Sequence, residues 1–314
     1  MNCLVTGASG FIGSALIKRL INEGHTVKGL VHKIQPQTAV QKADYVLGDI
    51  TDRESLQYIV EDVDVIFHCA ALVKDFGLKD SFYKINFEGT KNIVEVCSEY
   101  NIKRFVFLSH IRYEAEKKFE YYSLSKAMAE QYLLDKHKND GFPVVIMRPG
   151  NVYGPRATTW VLRPLRAIQK NKIALIDKGS GIFLHTYIDN LIDALLNAMQ
   201  EPKAIGETID ITDGDNSITW GEYLNALAEI AGKNPIKRNM SKNTALILGK
   251  IMILLYNLFR IEPMVTPMAV EVFTNQNKIS IEKAKSLLEY EPKVDFKEGM
   301  KQVENWLKSE GYIV

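Results

Sequence analysis

Gly7, Gly10 and Gly13 recur three apart in TGASGFIG, between a short apolar run and an amphipathic segment. Residues without side chains suit one chemistry in particular, the binding of an anion by backbone. Where a strand turns into a helix, the first helical N–H groups lack partners and carry the positive end of the helix dipole. A pyrophosphate rests there if the backbone can approach it closely. Glycines permit that approach and the tight turn, and the last one lets the helix settle on the strand. The common dinucleotide spacing is GxGxxG; here it is GxxGxxG, one residue longer. A lone glycine triplet is weak evidence, and its place at the first strand of an alternating chain makes it strong.

The elements that would hold this turn alternate. Strand patterns at 2–6, 26–31, 44–47, 63–69, 104–109 and 144–147 are mostly separated by helical patterns at 12–22, 53–60, 82–100 and 123–138. Such alternation predicts a parallel sheet covered by helices on both faces. Continuously apolar strands such as FVFL at 105–108 agree with burial on both sides. Near 148–155 the rhythm changes to helices with scattered short strands, one at 208–211. The expected fold is α/β: a doubly wound parallel (Rossmann) sheet with a smaller C-terminal α/β substrate domain interleaved with it. Residues 1–150 would form the dinucleotide-binding domain. Residues 151–314 would be mainly the substrate-binding region, with some segments returning to the first domain.

Bulk composition excludes several classes. The 314 residues are 46% hydrophobic and 25% charged, with a net charge of +1, so nothing argues for a nucleic-acid partner. Cys3, Cys69 and Cys97 are odd in number and lie in apolar runs, as expected of buried thiols in a reducing compartment. Neither they nor the six histidines show metal-ligand spacing, and no metal is expected. The first strand begins at residue 2, leaving no room for a signal peptide, so the expected location is cytoplasmic. Residues 245–259, ALILGKIMILLYNLF, complicate a purely soluble reading. The run is short for a bilayer span and is broken by Lys250. Asn243, Lys250 and Asn257, seven apart, would share one narrow polar stripe of a helix. A buried helix, an interfacial helix and a wall of an apolar substrate pocket all fit it.

TGASGFIG resembles the TGxxGxxG signature of the extended short-chain dehydrogenases/reductases, and the likeness runs the length of the chain. GDITD at 48–52, HCAA at 68–71, NFEGTKNIVEVC at 86–97 and RPGNVYGPR at 148–156 are similar to further motifs of that family. The resemblance implies cofactor contacts at Gly7, Gly10, Phe11, Ile12 and Gly13, and at Asp49 and Ile50 for the adenine. It adds Cys69, Ala70, Ala71, Asn86, Leu108, Tyr122 and Lys126 along the cofactor, and Pro149, Asn151 and Val152 near the nicotinamide. Where NAD-binding relatives usually carry an acidic residue, the second strand has Val31, followed by His32 and Lys33. Basic groups there favour a 2′-phosphate, so NADP is expected ahead of NAD, unless His32 and Lys33 simply end a solvated loop.

The same resemblance assigns catalysis to a Tyr-x-x-x-Lys pair, whose spacing puts both side chains on one helical face. A lysine ammonium, with the cationic nicotinamide, favours tyrosinate and lets the tyrosine exchange a proton near neutral pH. Three such pairs exist: Tyr113/Lys117, Tyr122/Lys126 and Tyr132/Lys136. YSLSKAMAEQYL at the start of a helix resembles the family's YxxSKxxxE, which selects Tyr122 and Lys126. Family members usually end the fifth strand with two serines. Here Ser109 matches the first and His110 stands at the second, with a short loop of eleven residues before Tyr122. Either His110 donates in place of the serine, or Ser109 takes the role, or turnover is weak.

The expected function is NAD(P)-dependent hydride transfer to or from a hydroxyl or keto carbon of a small, possibly apolar substrate. The second-strand ending and the segment 245–259 resemble the 3-beta-hydroxysteroid-dehydrogenase/dihydroflavonol-reductase-like branch. Two alternatives stand: a nucleotide-sugar epimerase/dehydratase, with Arg156, Arg163 and Arg166 able to meet a diphosphate, and a non-catalytic dinucleotide-binding regulator. His185 and Asp189 read as scaffold. The family implies a homodimer through helices 82–97 and 123–138, and 245–259 offers a peripheral membrane contact.

Overall fold

A computed structural model describes residues 1–32, 40–112 and 121–313. Lys33, Tyr113 and Lys117 lie outside the described residues. In chain order the strands are β1 (Asn2–Thr6), β2 (Thr26–Val31), β3 (Asp44–Leu47), β4 (Val65–His68), β5 (Arg104–Leu108), β6 (Val144–Pro149), β7 (Asn151–Tyr153), β8 (Leu175–Ile176), β9 (His185–Tyr187), β10 (Thr208–Ile211) and β11 (Asn239–Met240). The helices are α1 (Phe11–Asn22), α2 (Lys79–Phe82), α3 (Gly89–Cys97), α4 (Tyr121–Asp140), α5 (Arg163–Gln169), α6 (Ile188–Gln200), α7 (Trp220–Ile230), α8 (Lys242–Phe259), α9 (Pro267–Thr274), α10 (Glu282–Leu288) and α11 (Phe296–Ser309).

Seven strands form one parallel sheet in the order β10-β6-β5-β4-β1-β2-β3. Alternation along each strand splits the core. Cys3, Val5, Phe67, Val106 and Met147 face α1 and α6, whereas Leu4, Ile66, Phe105, Phe107 and Ile146 face α3 and α4. Strand order reverses between β1 and β4, which opens a crevice at their C-terminal ends. β10, from the second half of the chain, supplies the edge strand beside β6. Past β6 the chain bends at Gly150, where a Cβ would lie 2.2 Å from the Leu184 carbonyl oxygen, and β7 leaves the main sheet to pair with β9. Beyond them Tyr153, Phe183, Trp220 and Tyr223 build an aromatic core under α7 and α11.

Two helical expectations are corrected. Residues 53–60 form only a 3₁₀ turn at Glu54–Leu56. Side chains compete with helix there: Asp49 accepts from the Thr51 N–H, Asp52 from the Glu54 N–H, and Ser55 donates to the Asp49 and Asp52 carbonyls. The helix expected at 82–100 runs from Lys79 to Cys97 and contains a π-helical stretch, Tyr83–Glu88. The widened turn carries Asn86, whose amide accepts from the Leu72 N–H at 2.7 Å and donates to Ser125 Oγ at 3.1 Å. A π insertion re-aims one side chain at the cost of a regular helix. Here it fastens the loop after β4 to α4.

Candidate active site

The glycine turn is built as a cradle. Gly7 has φ +66°, and a Cβ on it would lie 2.8 Å from the Ala70 nitrogen. A Cβ on Gly13 would lie 2.3 Å from the Gly7 carbonyl oxygen, which also accepts from the Gly10 N–H at 2.9 Å. Gly10 caps α1 without a side chain, and the first turn holds no acidic residue. The amide-rich helix start therefore meets an anionic ligand unshielded. Phe11, Ile12, Cys69, Ala70 and Ala71 are half-buried around it.

Behind the cradle, His68 is fully buried in a directed chain of hydrogen bonds. The Ala70 N–H donates to Thr6 Oγ1, Thr6 Oγ1 lies 2.8 Å from His68 Nδ1, His68 Nε2 lies 3.0 Å from Thr90 Oγ1, and Thr90 donates to the Asn86 carbonyl. Since Thr90 gives its proton to Asn86, His68 must carry its own on Nε2. Burial, with Lys126 repelling in the same direction, pushes His68 down to about 3, so it stays neutral. Nothing in the chain's spacing singled this histidine out. It ties the ends of β1 and β4 to α3.

Where the resemblance places the adenine, His32 Nδ1 lies 4.0 Å from Asp49 Oδ2, and both side chains reach solvent. Burial alone would raise the Asp49 carboxyl. The Thr51 N–H and hydroxyl, His32 and Lys84 together hold it below its usual range. Ile50 is buried against Gly89.

Tyr122 and Lys126 lie one turn apart near the start of α4. Lys126 is 1% exposed, donates to the Leu108 carbonyl at 2.5 Å and stands 3.8 Å from the Phe107 ring centre. Burial pushes its ammonium down to about 7, against the opposing pull of Glu130 and Cys69. The Tyr122 ring lies 4.7 Å from that of His110, and His110 Nε2 lies 2.9 Å from Ser123 Oγ. Ser123 escaped the sequence reading because the motif makes it a spacer between Tyr122 and Lys126. Tyr132 and Lys136 belong elsewhere: Tyr132 donates to Glu95, and Lys136 pairs with Asp140 at 2.9 Å.

Ser109 is buried beside the Glu130 carboxylate. Glu130 is one turn beyond Lys126, with a side chain only 2% exposed. Arg148 Nε donates to its Oε1 at 2.8 Å, Arg148 Nη2 to its Oε2, and Arg112 donates to the same oxygen. Burial works against the carboxylate; the Arg148 hydrogen bonds and the charges of Arg148 and Arg112 outweigh it and hold the carboxyl below its usual range. Because Arg112 follows His110 by two residues, the clasp fixes the strand end that carries His110. The Ile111 N–H also bonds the Pro149 carbonyl at 3.0 Å. Glu130→Gln leaves Arg148 with Asp210 as its remaining neighbouring charge and is expected to cost about 3 kcal/mol of stability, read from urea unfolding.

Leu108, Pro149, Asn151 and Val152 are buried where β5 and β6 end. Asn151 Nδ2 is buried without a hydrogen-bond partner. A cradle that any Cβ would fill, together with an orphaned amide donor at its far end, fits a dinucleotide along the strand ends. His185 and Asp213 stand 3.9 Å apart in the second region, where Asp213 accepts from the Tyr187 N–H and Asn190. They brace the start of α6.

A seven-stranded parallel sheet, a glycine cradle at its switch point and a Tyr-x-x-x-Lys helix at the end of β5 define an extended short-chain dehydrogenase/reductase. Residues 3–212 match the model of the NAD dependent epimerase/dehydratase family, and the chain belongs to that family. It is 26% identical to mouse (Mus musculus) sterol-4-alpha-carboxylate 3-dehydrogenase, decarboxylating, over 96% of this chain and 89% of that protein. It is 28% identical to 2-alkyl-3-oxoalkanoate reductase of Stenotrophomonas maltophilia, over 96% and 98%. In fold it is similar to UDP-glucose 4-epimerase of Thermotoga maritima, with a TM-score of 0.80, 23% identity and 99% of each chain covered. The chain is an enzyme of the dehydrogenase, reductase and epimerase type.

Proposed function

We propose that this enzyme transfers hydride between NADP(H) and the hydroxyl or keto carbon of a small apolar substrate. The observation that carries the reading is that Tyr122 packs on His110 and Lys126 donates to the Leu108 carbonyl, both at the end of β5, in the sheet whose β1 leads into the glycine cradle. The names of the sterol and oxoalkanoate relatives support an apolar substrate.

The nicotinamide, when bound, exchanges a hydride with the substrate carbon. Tyr122 Oη gives a proton to the carbonyl oxygen in reduction, or takes it from the hydroxyl in oxidation. Lys126, once charged, favours the tyrosinate. His110, fixed through Nε2 by Ser123, supplies the hydrogen bond that a second serine gives in relatives. The contacts of His110 with the Tyr122 ring and with Ser123 support it in that role. Turnover tests the reading: NADPH absorbance falls with cyclic ketones or 3-oxo acids. Tight dinucleotide binding without turnover across such a panel, or with nucleotide sugars alone, overturns it.

His32, exposed just past β2, supports a 2′-phosphate site, and the sequence adds Lys33 as the next residue. NADPH should quench protein fluorescence at concentrations about tenfold below NADH, the effect of one charge-assisted hydrogen bond. Tighter NADH binding contradicts the preference. The same reading includes a homodimer through helices 82–97 and 123–138, a cytoplasmic location and a peripheral membrane contact through 245–259. Three free cysteines support the location.

A further inference from the structure

α8 has two apolar stripes on opposite sides. Ala245, Gly249, Met252 and Tyr256 follow one helical face, and Ile247, Ile251, Leu254 and Leu258 follow the other. The first stripe is taken up by the protein. A Cβ on Gly249 would lie 2.9 Å from the Pro267 nitrogen of α9, and the Tyr256 ring meets Phe76 edge-on at 5.0 Å. The second faces outward: Ile247 is 62% exposed and Leu258 63%, with Phe259, Ile261 and Met264 continuing the apolar surface.

The loop after β4 joins this surface. Asp75 accepts from Thr266 at 2.9 Å and Phe76 holds Tyr256, which fixes the loop against α8 and α9. Val73 and Leu78, beside these anchors, are 61% and 53% exposed. Charge selects the occupant. α8 contains no acidic residue, and Lys250 flanks its outward stripe. Lys250, Arg260 and Lys74 form no ion pair among the described residues, while Lys242 is paired with Glu271 and Asp75 lies 3.9 Å from Arg163. The exposed acids nearby are Asp80 and Glu262. Two copies meeting through this face would oppose their Lys250 side chains. A bilayer with anionic headgroups takes the apolar stripe and the cations together.

We propose that the outward face of α8 and the loop 73–78 form one platform that docks on an anionic lipid surface, with α8 lying in the plane of the interface. The proposal rests on the peripheral contact named above and needs no turnover. Since α8 is held along its other side by α9 and Phe76, it lies on the bilayer without crossing it. The loop leads in a few residues to Ala70, which backs Gly7, and Asn86 grips it at Leu72. The platform is thus one short segment away from the cofactor cradle, and an apolar substrate drawn from the lipid meets the enzyme on that side.

Flotation of the full chain with vesicles of 3:1 phosphatidylcholine and phosphatidylglycerol tests this, with hydrogen exchange read on the same mixture. Wild type is expected to float, and to do so far less with pure phosphatidylcholine. Ile251→Asp with Leu254→Asp is expected to stay in solution, with an unchanged melting temperature and unchanged NADPH binding. Lys250→Ala and Arg260→Ala each lower partitioning about fivefold. Exchange slows over both 73–78 and 247–261. Three results overturn the platform: no flotation of wild type, flotation of the double variant, or protection of α8 without the loop. Loss of a dimer in the double variant without vesicle binding gives the face to a second copy, also against the proposal. None of these outcomes depends on hydride transfer, so the enzymatic reading stands or falls separately.

Discussion

Tyr122→Phe is expected to lower kcat by about 10²–10⁴-fold with a ketone substrate while leaving NADPH affinity within about twofold, because only proton transfer is lost. The substitution removes a single oxygen from a half-buried ring that stays against His110. Packing is preserved, so a fall in kcat reads chemistry. Lys126 remains bonded to the Leu108 carbonyl, and the end of β5 keeps its geometry. His110→Ala makes the graded companion. On the proposed role of His110 it removes a hydrogen bond to the reacting oxygen and should cost about 10²–10³-fold, the loss seen when one preorganised donor is deleted. Full activity in Tyr122→Phe moves the proton transfer to another residue; full activity in His110→Ala leaves the role of the missing serine unfilled by this histidine.

Gly13→Val should abolish dinucleotide binding. The first atom of any side chain at residue 13 would lie 2.3 Å from the Gly7 carbonyl oxygen, and that contact is backbone, which cannot rotate aside. Either α1 moves off β1 or the turn opens. Both misdirect the N–H groups proposed to meet the pyrophosphate. Each charge-assisted hydrogen bond contributes about 1.5–3 kcal/mol, so losing even two weakens binding at least about 100-fold. Fluorescence titration reads the loss, and a circular-dichroism melt of the same sample shows that a folded chain was titrated. Binding within tenfold of wild type would mean that the cradle does not hold the pyrophosphate.

The sheet was legible where chemistry is local. β1, β2, β3 and β10 fall on the residues their sequence patterns marked; β1 and β2 are mostly buried runs, whereas β10 at one edge buries alternate residues and β3 at the other edge buries none. The glycine turn was legible because its constraint is steric and sits on the glycines themselves. Features set by distant partners were not. The π stretch at Tyr83–Glu88 depends on Asn86 reaching Leu72 and Ser125. The clasp on Glu130 unites Arg112 and Arg148, which are 36 residues apart in the chain. Residues 53–60 carried a helical pattern that Asp49, Asp52 and Ser55 overrode by bonding the backbone. The apolar run 245–259 showed its helix, but which stripe would be covered depends on α9, some twenty residues further on.

Isotope transfer tests the central claim most directly. NADPH deuterated on one face of the nicotinamide C4, and separately on the other, is mixed with the enzyme and a ketone that it reduces. The account predicts one deuterium on the carbinol carbon of each product molecule, from one labelled face only. Reduced product free of deuterium from both faces would contradict it.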